Sequence, residues 1–267
     1  MTIMGRWLDL SRYVQGLANR LWAAAKEQDF HGAIFDTWDP NAKLAYTDAL
    51  MQGMAVAFFQ GYYAPAFAIP AQAAARADTA VKFLQSLTPK YTGVLYLDLE
   101  AVPPSVTVEA LTTWVNTWAR VVSGAGFQAG LYVGANSRLD GQQLYALPQI
   151  TTYWKSVSIV PEVATRGYAM TQTALNQNLG GVTVDFDVLA MDHEGDLPRV
   201  ANPEAVPSPI SSTPSATPSA TPSATPSAAS SSSMHAVIEG ILADAEAMGQ
   251  HYQSMVSGVI SLYKGGA

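Results

Sequence analysis

Between residues 30 and 190, short apolar runs alternate with longer stretches of helical periodicity, and this alternation limits the chain to few architectures. "HGAIFDTW" reads as a strand ending at Asp36, followed by a helix over 41–53 and by "MAVAFFQGYYAP" as strand and loop. "AQAAARADTAVKFLQSL" reads as an Ala-rich helix, "GVLYLDLE" as a strand, and "TVEALTTWVNTWARVVSGAG" as a helix stopped by glycine. "QAGLYVGAN" is a further strand, 138–147 a short helix, and "TTYWKSVS", "GYAMTQ" and "VTVDFDVL" are later strands. Such alternation predicts an α/β fold with a parallel sheet. The expected form is a compact (β/α) barrel of the TIM type with shortened helices, over residues 28–200. A doubly wound sheet is the second choice, without a Gly-rich phosphate loop to support it.

Flanking this core are segments of other kinds. Trp7, Leu10, Val14, Leu17, Leu21 and Ala24 recur at spacings that predict an amphipathic helix within residues 1–27. It either covers one side of the domain or docks with the carboxyl-terminal segment. Residues 201–233 hold four TPSA repeats from Thr213 to Ala228, too small and polar to bury a core. They read as an extended spacer of up to about 100 Å. In residues 234–267, Met234, Ile238, Ile241, Ala245, Met248, Tyr252, Met255, Val259 and Leu262 form a heptad seam. This predicts a tethered carboxyl-terminal helix that self-associates or docks on a partner protein. Lying on a membrane surface or packing back on the globular domain are alternatives.

The strand "YLDLE" poses the chemical question. Asp98 and Glu100 lie two residues apart, so they share one face at the carboxyl end of an apolar strand, just before Pro103 and Pro104. Carboxylates are costly to bury unless paired or used. Barrel enzymes carry their active sites at the carboxyl ends of strands, where Asp36 and Asp185 also fall, with Asp187 two residues on. Two carboxyls, one held protonated and one ionised, are what glycosidic hydrolysis needs. Trp38, Tyr62, Tyr63, Tyr132, Tyr153, Trp154 and Gln172 fall near strand ends, as aromatic platforms and hydrogen bonders for a sugar.

Other chemistries find less support. A net charge of −7 without a basic cluster argues against nucleic-acid binding. The chain has no cysteine, and His31, His193, His235 and His251 lack ligand spacing, so neither a metal nor another cofactor is expected. No transmembrane helix and no secretory signal are expected either, which suggests synthesis in the cytoplasm and release by lysis, a pore or packaging in a particle.

The order of a strand ending in Asp36, then "YLDLE", "GLYVGAN", a late strand with Gln172 and "VDFD" resembles the family 25 glycoside hydrolases. It resembles still more the bacterial glycoside-hydrolase-like barrels. The likeness covers roughly residues 28–195. It implies a muramidase acting on peptidoglycan, with Glu100 as general acid, Asp98 as its stabilising partner, Asp36 as the first-strand acid and Asp185 as the late-strand acid. The stretch "TWDP" after Asp36 and "MTQTA" around Gln172 depart from the lysozyme pattern. The expectation is therefore a peptidoglycan hydrolase such as a phage lysin, virion-associated lysozyme or delivered effector. A non-catalytic glycan-binding or structural module on the same barrel is the main alternative, and a hydrolase of another polysaccharide a further one.

Overall fold

The computed structural model describes residues 3–61 and 64–203. Within it, a closed barrel is built from strands β1 (Gly5–Leu10), β2 (Phe30–Asp36), β3 (Ala55–Gln60), β4 (Val94–Leu99), β5 (Gln128–Val133), β6 (Thr152–Lys155), β7 (Met170–Leu179) and β8 (Val182–Leu189), paired in chain order. Helices α1 (Ala18–Glu27), α2 (Ala42–Met51), α3 (Gln72–Gln85), α4 (Val108–Gly124) and α5 (Gly141–Tyr145) fill the first crossovers. Local chemistry starts the later helices. Thr107 caps α4 through its side chain, and Asp140 with Gln143 forms a capping box at α5.

The α/β barrel expected from the alternation is present, but it departs from a uniform strand–helix repeat. Strands β1 to β7 run parallel, whereas β8 runs antiparallel to both β7 and β1. No helix stands between β6 and β7, and β7 turns directly into β8 at Gly180 and Gly181. Leu179 faces Val182, so the loop is two residues, and both glycines take the positive φ such a hairpin requires.

Residues 1–27 are not one helix. Gly5–Leu10 is the first barrel strand, and only Ala18–Glu27 is α-helical. The spacing misleads because Trp7, Leu8 and Leu10 are all fully buried, on both faces of the strand. Trp7 points into the barrel, and Leu8 and Leu10 pack outward under the helices, so the period of two disappears from the hydrophobic pattern. The barrel therefore starts at residue 5, and Ala201 still belongs to it through a bridge to Val56. The spacer and the heptad segment at 234–267 lie outside the described residues, as do Tyr62 and Tyr63.

Two apolar bodies hold the fold. The larger lies between strands and helices and includes Tyr46, Phe58, Tyr91, Trp114 and Trp118. Within it Trp118 donates to Gln60 (2.8 Å), and Gln60 donates to the Arg76 carbonyl (2.8 Å). The smaller fills the barrel with Trp7, Ile34, Ala57, Phe59, Tyr96, Trp154, Met170 and Leu189. Ile3, Leu197 and Val200 pack against it at the amino ends of the parallel strands, and Val94 donates its N–H to the Arg199 carbonyl there (2.7 Å). At that closed end Arg166 pairs with Asp192 (2.7 Å), Asp196 (3.0 Å) and Glu194. Among the described residues, no helix is long and apolar enough to cross a membrane.

The fit inside the barrel is tight at Gly32, where an added Cβ would lie 2.5 Å from the Trp7 ring. Gly32→Ala is expected to lower stability by about 1–3 kcal/mol through overpacking. In urea unfolding it should lower the midpoint and leave the slope unchanged.

Candidate functional site

Alternation along each strand decides which side chains enter the open end of the barrel. On β4, Leu95, Leu97 and Leu99 face the helices, while Val94, Tyr96 and Asp98 face inward. Glu100 continues that inward row just past the strand. Gly134 leaves space for it, since a Cβ there would come within 2.5 Å of the Glu100 side chain. Ala101 follows with φ of +48° and donates its N–H to the Ala135 carbonyl (2.8 Å), tying the loop after β4 to the loop after β5.

A cavity of about 290 Å³ opens at this end, lined by Asp9, Ser11, Phe59, Asp98, Glu100, Tyr132, Trp154, Val157, Ser158, Gln172, Leu175 and Asp185. Of the residues singled out in the sequence, Glu100, Asp98, Asp185, Tyr132, Trp154 and Gln172 meet there. Tyr132 donates to Gln172 Oε1 (3.2 Å), and Gln172 Nε2 donates to Asp185 Oδ2 (3.2 Å). Asp185 also accepts from the Asn176 N–H (2.7 Å). Gln172 is thus a link that aligns a phenol and a carboxylate.

The other expected site residues are placed differently. Asp36 accepts from the N–H groups of Trp38 (3.0 Å) and Gly61 (3.3 Å) and does not line the cavity. It ends the second strand, and the acid that ends the first strand is Asp9. Trp38 is 51% exposed and also stands outside the cavity lining. Asp187 is only 1% exposed and accepts from Trp154 Nε1 (2.7 Å), beneath the cavity. Tyr153 points outward, where its hydroxyl donates to the Leu144 carbonyl (2.5 Å).

Asp9 is the acid that periodicity hid. It is 8% exposed, faces Asp185 across the β1–β8 pairing and lines the cavity. A signal for it exists: "WLDL" at 7–10 has the same form as "YLDL" at 96–99, an apolar strand ending in an inward Asp. Trp154 belongs to the site as well. Its ring meets those of Tyr132 (4.5 Å between centroids), Tyr96 (5.6 Å) and Phe59 (5.9 Å) edge-on, forming an aromatic floor.

Among the described residues no lysine, arginine or histidine lines the cavity, so the carboxyls repel one another in a place of low dielectric. Burial pushes Asp9 well above the usual range, with Asp187, Asp185, Asp36 and Asp98 adding to the effect. Burial likewise lifts Asp187 strongly, against the opposing Trp154 hydrogen bond, and lifts Asp185 and Glu100. Asp36 rises to about 6 through burial, despite its two backbone hydrogen bonds. Tyr132 is raised by burial and then by Glu100, Asp98 and Asp9, so it stays a phenol and a donor. Burial and mutual repulsion thus favour the protonated form in this group of carboxyls. Among the described residues no group of three or more His, Asp or Glu converges to hold a metal ion.

Residues 35–191, more than half of the chain, match the family described as Rv2525c-like, glycoside hydrolase-like domain, and the chain belongs to that family. No curated protein matches significantly. Among solved structures, the fold is similar to the 1.07 Å crystal structure of an uncharacterized B. stearothermophilus protein. That likeness has a TM-score of 0.52 at 14% identity and covers 69% of this chain and 95% of the other.

Raised carboxyl pKa values have a consequence for stability. An unfolded aspartate titrates near about 3.9. Between that pH and the higher folded values, the native state holds more protons than the unfolded one, so stability falls as pH rises. Thermal midpoints should be highest near pH 4 and decline through about pH 6, where Asp36 titrates, with the ionisations of Asp9 and Asp187 acting in the same direction. Asp187→Asn keeps an acceptor for Trp154 and removes one of these ionisations. Its plot of midpoint against pH should be measurably flatter than that of the wild type.

Proposed function

We propose that the protein is a glycoside hydrolase that cleaves peptidoglycan as a muramidase. The observation that carries this reading is the joint placement of Asp98 and Glu100 in one cavity, with Tyr132, Gln172 and Asp185 around them and no basic side chain among the lining residues. Glu100, whose proton burial helps to hold, gives it to the oxygen of the scissile glycosidic bond as the C–O bond breaks. Asp98 stands on the same inward row and stabilises the positive charge that develops at the anomeric carbon. Water adds there, and over the whole cycle its proton replaces the one Glu100 gave. The Gln172 link orients Asp185 and Tyr132 toward sugar hydroxyls.

Glu100→Gln preserves the shape and removes the transferable proton. Digestion of purified peptidoglycan by the wild type should release fragments with reducing-end muramic acid, seen by mass analysis. The variant should release at least about 100-fold less, with an unchanged circular dichroism spectrum. Equal release by the variant would remove Glu100 from the acid role. Absence of products from both proteins on several wall types would favour a non-catalytic glycan-binding or structural module. That second reading draws on Gln172, which is committed to Tyr132 and Asp185 and has no aromatic neighbour in "MTQTA". Products from a different polysaccharide would keep the hydrolase and change its substrate.

We also propose that the heptad pattern of residues 234–262 serves assembly, by self-association or by docking on a partner protein, and that the repeat segment tethers the barrel to it. In this reading the protein acts at the cell wall, as a phage lysin, virion-associated enzyme or delivered effector. Removing residues 234–267 should reduce the mass measured by light scattering to that of a monomer. An unchanged monomeric mass before and after removal would exclude self-association and leave partner docking.

A further inference from the structure

The cavity is rich in acceptors and poor in donors. Asp9, Asp98, Glu100 and Asp185 line it. The donors near them are largely committed within the protein: Trp154 Nε1 to Asp187, the Tyr132 hydroxyl to Gln172, and Gln172 Nε2 to Asp185. The hydroxyls of Ser11 and Ser158 are the other side-chain donors in the lining. Asp9 gives the sharpest indication. Its side chain is more than nine-tenths buried, it lines the cavity, and its Oδ1 has no hydrogen-bond partner. Such an atom is costly unless a ligand supplies a donor or a charge.

We propose that this cavity takes a cationic amino sugar, a hexosamine whose nitrogen is a free ammonium and not an acetamide, and that Asp9 is the carboxylate receiving the ammonium. The proposal rests on the reading of the cavity as a glycan site and narrows its substrate to wall glycan whose hexosamine nitrogen at this position is free, so that fully acetylated peptidoglycan is the poorer substrate. An ammonium brings three donors and a positive charge; that charge favours the ionised form of Asp9, which burial and the neighbouring acids disfavour in the empty cavity, and the hydrogen bonds to carboxylates so formed are the strong, charge-assisted kind. An acetamide brings one N–H together with a carbonyl that has to find a donor the cavity largely lacks. A uronic acid or a phosphorylated sugar meets repulsion from every carboxylate in the lining. A metal ion fits less well than an organic cation, since the carboxyls surround the space without converging in threes on a point. Phe59, Tyr132 and Trp154 add rings that favour both a sugar face and a nearby cation.

The test is calorimetric titration of the full chain in physiological salt with two probes, the glucosamine tetramer and the N-acetylglucosamine tetramer. The amine form is expected to bind tighter by on the order of tenfold or more. In Asp9→Asn, with its fold checked by circular dichroism, the ratio should fall toward one. Equal or tighter binding of the acetylated tetramer by the wild type overturns the cationic preference and leaves the glycan reading in place. Failure of the wild type to bind either tetramer overturns both. The acidic chain also attracts polycations without a site, so Asp185→Asn is titrated in parallel. An amine preference undiminished in both variants places the attraction outside the cavity and overturns the assignment.

Discussion

Closure of the barrel through β8 is the contact on which the rest of the mouth depends. This strand pairs with both β7 and β1, and it does so antiparallel. A reversed strand presents its early residues at the end where the other strands finish. That is why Asp185 reaches the cavity while Asp187, further along the chain, lies deeper against Trp154. The same pairing sets Asp9 opposite Asp185. With β8 parallel, the depths of the two acids would be exchanged and the Trp154 hydrogen bond would lose its acceptor. The glycine hairpin that permits the reversal is therefore part of the site's architecture, although it stands away from the chemistry.

The two ends of the barrel treat charge differently. Acids gather at the open end without a cation among the lining residues, whereas Arg166 is pinned by Asp192, Glu194 and Asp196 at the closed end. Burying like charges is unfavourable, and the raised carboxyl pKa values are the form this cost takes. The apolar frame of indoles, phenols and leucines between barrel and helices supplies the compensating stability. Strain held at a site and offset elsewhere is the usual sign of a place kept for function. Family membership gives the barrel a glycoside-hydrolase-like heritage, and the acids at its mouth make chemistry on glycans the reading with the most physical content.

Parts of this arrangement are legible in the sequence because they obey local rules. The pair Asp98 and Glu100 is visible because one alternation fixes their common face, and the apolar strand before them fixes their position at its end. Gln172 is visible in the same way, whereas Asp185 does not end its strand as expected: it reaches the cavity from the first half of β8 because that strand is reversed. Asp9 is not, because the strand carrying it is buried on both faces and its hydrophobic pattern fits a helix as well as a strand. Asp36 and Asp187 are correctly placed on strands, yet whether an inward carboxyl reaches the cavity depends on its height within the barrel. That height follows from strand register and tilt, which a one-dimensional pattern does not contain.

Alone, the sequence determined the alternation of strands and helices, the inward row of acids on β4, the absence of thiol chemistry and the polar repeat that separates two kinds of segment. These follow from composition and from the periods of two and 3.6, which act between neighbours along the chain. The tertiary structure decided that the barrel begins at residue 5, that its last strand is reversed, and that Asp9 joins Asp98, Glu100 and Asp185 around one space. These are matters of closure. Only when the first and last strands meet does the distance between residues far apart in the chain become small, and only then do their charges act on one another.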